Sequence, residues 1–125
     1  MQDMRFNAKP VGALSLVQAT WASGATAALT RTVQNVSGVC RQIEFKVAEN
    51  TTNNITFTLT ITSESGAQLF TAAAIADNGT TIFKATSDAT DFDAFLMAGT
   101  ITFLITPSGD PGATGATVDV DILMG

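Results

Sequence analysis

Residues Ile55 to Thr62 alternate without interruption between a large apolar residue and a threonine. In an extended strand successive side chains point to opposite faces, so Ile55, Phe57, Leu59 and Ile61 share one face and the threonines share the other. A helix would scatter the same residues around its circumference, so this period predicts a half-buried strand.

The same reading carries along the rest of the chain. Gly12 to Thr20 reads as a first strand, closed by a turn at Ala22-Ser23-Gly24. Ala25 to Val36 is a second extended run, Asn35 to Gly38 a turn, and Val39 to Ala48 a third strand. Strict alternation there places Val39, Arg41, Ile43, Phe45 and Val47 on one face and Cys40, Gln42, Glu44 and Lys46 on the other. Glu49 to Asn54 is a polar turn, and Ser63 to Gly66 turns the chain back along Ala67 to Ile75.

Asp77-Asn78-Gly79 is the strongest hairpin signal, with Thr80 to Thr86 as its return strand. Ser87 to Met97 reads as a loop with one short helical turn, capped by Ser87 or Asp88. Thr100 to Thr106 is a strand with Ile101, Phe103 and Ile105 inward, and Pro107 to Gly115 an exposed loop. Thr117 to Met124 closes the chain, with Val118, Val120, Ile122 and Met124 opposing Asp119, Asp121 and Leu123.

Short strands at regular spacing, glycine turns and no long helical period predict an all-β protein, an antiparallel β-sandwich with at most one short helical turn. Jelly-roll-like and immunoglobulin-like topologies fit equally well, because strand count does not set strand order. A length of 125 residues suits one domain. It divides as an N-terminal arm over 1-10 and a single β-sandwich domain over 11-125.

Composition narrows the role. Charged residues make up 14% of the chain, against about 25% in ordinary globular proteins. The net charge of −5 and six scattered cations (Arg5, Lys9, Arg31, Arg41, Lys46, Lys84) argue against nucleic-acid binding, which needs clustered Lys and Arg. No stretch approaches the ~20 apolar residues of a membrane helix, so the chain reads as soluble and without a membrane partner. The segment from Arg5 to the alanines after Trp21 faintly mimics a signal peptide, but Asp3, Ser15, Gln18 and Thr20 break its apolar core. The lone Cys40 forms no internal disulfide, which is compatible with a reducing cytoplasm.

Candidate chemistry is thin. The chain has no histidine, which removes histidine-assisted serine or cysteine catalysis and leaves no zinc cluster. Cys40 has only Arg41 as a cationic neighbour, on the opposite face, so it reads as a plain strand cysteine. Asp88, Asp91 and Asp93 are the best calcium candidates by ligand type, but they lack the spacing of a calcium loop and read as a solvated acidic segment. Asp119 and Asp121 share one strand face and read as solvent-facing charges that discourage edge aggregation. Trp21 and the eight phenylalanines offer a sugar-stacking platform on paper, yet Phe45, Phe57 and Phe103 fall at inward positions. The sequons at Asn35, Asn50, Asn54 and Asn78 arise readily in so threonine-rich a chain. No catalytic, cofactor-binding or metal-binding residues are assigned, and the chain is read as no enzyme.

A surface of Thr, Ser, Asn, Ala and Gly costs little to desolvate and does not repel identical copies, which suits dense self-packing. The runs Val36 to Phe45, Ile55 to Thr62, Gly66 to Phe70, Ala98 to Phe103 and Thr117 to Ile122 resemble small β-sandwich virion structural proteins of tailed bacteriophages. The resemblance spans about Val36 to Met124 and is one of pattern. Such proteins are often head decoration (cement) proteins that clamp neighbouring capsomers, commonly as trimers. The resemblance implies a virion component assembled in the host cytoplasm, whose partners are its own copies and the major capsid protein. Its function would lie in contact surfaces: arm, loop tips and edge strands. The alternative is a carbohydrate-binding or adhesin-type β-sandwich module.

Overall fold

The computed structural model describes residues 13–47, 52–85 and 94–124, and the side chains from residue 18 onward. Among the described residues there are seven strands and no helix: β1 (Ala13–Trp21), β2 (Leu29–Val47), β3 (Thr56–Thr62), β4 (Gln68–Ala76), β5 (Gly79–Lys84), β6 (Phe95–Pro107) and β7 (Ala116–Met124). Every pairing is antiparallel. β3 is the alternating strand, with Ile55, Phe57, Leu59 and Ile61 buried and its threonines half-buried.

The long β2 organises the molecule. Its first half, Leu29 to Cys40, pairs with β6. Its second half, from Cys40 to Val47, pairs with β7 along one edge and with β5 along the other. Cys40 has partners on both sides, Phe95 and Met124, so β5 and β6 lie end to end along a single edge of β2. Divided near Cys40, the sheet becomes two four-stranded layers. A front layer runs β1, β7, second half of β2, β5; a back layer runs first half of β2, β6, β3, β4.

Ring contacts show that the layers face one another. Phe57 on β3 packs against Trp21 on β1 and Phe45 on β2, with centroids 5.5 and 5.7 Å away. Phe70 on β4 meets Phe83 on β5 at 5.4 Å. The pairs nest: β3 with β4 innermost, then the second half of β2 with β5, the first half with β6, and β1 with β7 outermost. That is the order of a jelly roll. An immunoglobulin sandwich would pair its first two strands, whereas β1 here pairs with the last.

Four local expectations are corrected. Asn35 to Gly38 is not a turn; the chain runs straight through it, with a bulge that places Asn35 at φ 60 between the pairs Val33–Ile101 and Val36–Gly99. Asparagine tolerates that left-handed conformation, so a turn-like signal served a bulge. A second bulge lies between Cys40 and Gln42, where β2 carries one residue more than β7. It turns Arg41 out to solvent and puts both Cys40 and Ile43 in the core, reversing the alternation expected for Val39, Cys40 and Arg41. Strict alternation would have buried a guanidinium, and the extra residue avoids that cost.

Asp77-Asn78-Gly79 makes a tight turn but not a hairpin. β4 and β5 belong to different layers, and β5 takes the open edge of β2 instead. β6 begins at Phe95, not Thr100, because Phe95 to Ala98 pair with Ser37 to Cys40. The arm over 1-10, Ser87 and the trio Asp88, Asp91 and Asp93 lie outside the described residues.

Candidate interaction surface

The two layers present different outer faces. On the back layer, the outward rows run Thr30–Leu104–Thr60–Thr71 and Thr32–Thr102–Thr62–Gln68, with Thr58–Thr106 as a shorter third. Thr60 and Thr71 share a hydroxyl–hydroxyl hydrogen bond of 3.1 Å. Among the described residues none of these outward positions carries a charge. Leu96, 66% exposed, continues this face at one end, where it pairs with Val39.

The front layer is the charged one. Its rows read Gln18–Asp119–Lys46–Thr80, Asp121–Glu44–Ile82 and Leu123–Gln42–Lys84. Gln18 donates its side-chain amide to Asp119 at 2.8 Å, and Gln42 donates to Glu44 at 3.3 Å. Ile82 and Leu123, 46% and 43% exposed, stand among these charges without touching as neighbours in register. The other charged side chains among the described residues sit at edges, bulges and turns: Arg31, Arg41, Glu64, Asp77 and Asp110.

One end of the sandwich is tied rather than loose. The Asp110 carboxylate accepts the amides of Gly24 and Gly112 at 2.9 and 2.8 Å, joining the β1–β2 turn to the β6–β7 loop. The Pro111 carbonyl accepts the amides of Thr52 and Asn53, and the Asn53 side chain donates to the Asp110 carbonyl. Pro111, Gly112 and Gly115 are buried, so the segment expected to be an exposed loop is half interior. Its glycines and prolines leave room for backbone to pack on backbone. At the other end, Ser63, Glu64, Ser65, Ala98 and Gly99 line a shallow depression of about 500 Å³. The Glu64 carboxylate accepts the Thr100 amide there, at 2.8 Å.

The residues singled out for chemistry are dispersed. Cys40 is fully buried, and desolvation pushes its thiol pKa up from 9.0 to about 12, which suits an inert core cysteine. Asp119 and Asp121 do share the outward face of β7, Asp119 partly covered and bonded to Gln18, Asp121 open. Trp21 is 3% exposed, packs on Phe57 and donates its indole N–H to the Ala27 carbonyl at 2.7 Å. It is core, so it offers no stacking platform to a sugar. Asn35, Asn54 and Asn78 are exposed, and Asn50 lies outside the described residues. No group of three or more potential metal-ligating side chains forms among the described residues. No helix among them is long and apolar enough to cross a membrane.

The threonines of β3 are legible in its alternation, whereas their extension across four strands and the tie at Asp110 are not. Thr100, Thr102 and Thr106 hold a matching period around Leu104, and that was the available signal.

No protein-family model matches the chain. No curated protein matches it either. Among solved structures, it is similar to the infectious bursal disease virus VP2 subviral particle, with a TM-score of 0.38 and 13% identity over 90% of this chain and 32% of that one. It is also similar to the structure of infectious bursal disease virus Gx strain, with a TM-score of 0.31 and 14% identity over 93% of this chain and 33% of that one. The chain spans about a third of the length of those proteins. Likeness at these scores carries no weight for the topology or the function; the jelly-roll assignment rests on the strand pairings.

Proposed function

We propose that this protein is a non-enzymatic structural component of a virus particle, of the head-decoration or cement kind, which binds the outer capsid surface and stabilises the shell. The observation that carries the reading is a threonine face of the jelly roll that bears no charge among the described residues, while Glu44, Lys46, Lys84, Asp119 and Asp121 lie on the opposite face. Jelly rolls serve as capsid and lectin domains alike, so the fold alone does not choose between them. The surface favours assembly. Methyl groups bury favourably, hydroxyls that find hydrogen-bond partners bury at far lower cost than charges, and the face adds no local charge to the −5 that each copy carries.

Its partners are then copies of itself and a major capsid protein, and its place is the virion, assembled in the host cytoplasm. The lectin reading loses its best stacking residue, because Trp21 is interior. Light scattering on the purified protein, followed by co-sedimentation with capsids of the virus that encodes it, tests the proposal. Saturable pelleting with the shells is expected. A protein that stays in the supernatant at every concentration overturns the assignment to the capsid exterior.

A further inference from the structure

We infer that the threonine face of the back layer is where a second copy of this chain packs, face to face about a twofold axis, leaving both charged front faces turned to solvent. The inference rests on the reading of a self-assembling particle component and adds which surface does the assembling.

The support is electrostatic. Thr30, Thr32, Thr58, Thr60, Thr62, Thr71, Thr102 and Thr106 surround Leu104, and no charged side chain among the described residues interrupts them. A partner bearing charges would leave them desolvated against hydroxyls and methyls with no counter-ion to compensate. A second copy brings a surface that matches by construction, and a twofold axis lets one patch serve both sides. The front face suits the role less well, because pairing it would desolvate Glu44, Lys46, Lys84, Asp119 and Asp121, and Glu44 already stands directly opposite Asp121.

Area sets how strong the pairing can be. Four strands about 4.8 Å apart, with about eight residues each rising about 3.3 Å, give a flat patch on the order of 500 Å² per copy. Leu96 extends it at one end. That lies just below the ~600 Å² per partner at which stable specific interfaces begin. The pairing is therefore a weak, concentration-dependent dimer in dilute solution, strengthened when copies are held on a common surface.

Sedimentation velocity over a concentration series provides the test. The expected result is a monomer–dimer equilibrium whose dissociation constant does not rise as salt goes from about 0.05 to 0.5 M, because no ion pairs are screened while the repulsion between two copies of charge −5 is. Leu104→Glu and the more peripheral Thr71→Lys should each weaken the dimer, Leu104→Glu by about 100-fold through burial of an unpaired charge. Thr80→Lys on the front face should leave it unchanged. Circular dichroism confirms that each variant is folded.

A protein that remains monomeric at millimolar concentration, or a dimer indifferent to both back-face charges, overturns the inference. So does a dimer that Thr80→Lys disrupts. A monomer that still pellets with capsids would sink this interface and leave the capsid role standing. A back-face dimer that ignores capsids would do the opposite.

Discussion

The rings of Phe45 and Phe57 meet 5.7 Å apart with their planes inclined at 47°, and this contact joins the two layers of the sandwich. Phe57 also touches Trp21 at 5.5 Å, so one side chain of the alternating strand binds β3 to two strands of the opposite layer. Truncation there removes apolar contact and leaves a cavity between sheets that cannot close independently. Phe57→Ala should cost about 3–5 kcal/mol in urea unfolding, a large share of the stability of a domain this size, with the m-value unchanged.

Two glycines with positive φ separate backbone conformation from space. Gly66, φ 94, turns between β3 and β4 with open solvent where a Cβ would go. Gly115, φ 69, would drive its Cβ into the carbonyl oxygen of Trp21, which is backbone and has nowhere to move. Gly66→Ala should therefore cost about 1 kcal/mol from the left-handed conformation alone. Gly115→Ala should cost about 2–4 kcal/mol, since overpacking adds to it. Parallel thermal melts of the two variants check the difference.

Ala74 holds φ 57 at the bulge of the edge strand β4, a conformation that glycine adopts freely and alanine does not. It is exposed, so replacement loses no packing. Relief of about 1–2 kcal/mol of strain should exceed the extra freedom that glycine lends the unfolded chain. Ala74→Gly should stabilise the protein by about 0.5 kcal/mol, read as a rise of a few degrees in Tm.

Cys40 should be silent until the protein unfolds. Its thiol pKa is pushed up from 9.0 to about 12 by burial, so the folded state holds the proton over a range where the unfolded state releases it. With more protons bound in the folded state, stability is fully present below the unfolded pKa. It then falls as pH rises through the window between the two values, by at most about 1.4 kcal/mol per pH unit. A thiol-specific reagent should react only after denaturant is added. The alkaline loss should be smaller in Cys40→Ala than in the parent, relative to their stabilities near neutral pH.

Much of the fold was legible because single-strand patterns record which side chains face inward. Ile55 to Ile61, Ile101 to Ile105 and Val118 to Met124 all bury the residues their alternation assigns to the core. Where the pattern misled, a neighbouring strand had changed the phase. Arg41 sits at a bulge set by pairing with β7, and the Asp77-Asn78-Gly79 turn leads to a strand whose partner lies in the other layer. The candidate surface was legible only in pieces, since each strand shows its own threonines but not which strands lie beside it.

The amino-acid sequence by itself determined that this is an all-β chain with apolar inner faces, threonine on much of its outside and few charges. Alternation and composition are properties of one segment at a time, and burial of apolar side chains enforces them locally. Tertiary structure alone decided the rest: the nested jelly-roll order, the division of β2 between two layers, and the gathering of threonines on one outer face with Glu44, Lys46, Lys84, Asp119 and Asp121 on the other. Those depend on which distant strands share backbone hydrogen bonds. Every strand offers the same N–H and C=O groups, so only the joint packing of all the inward faces selects the partners.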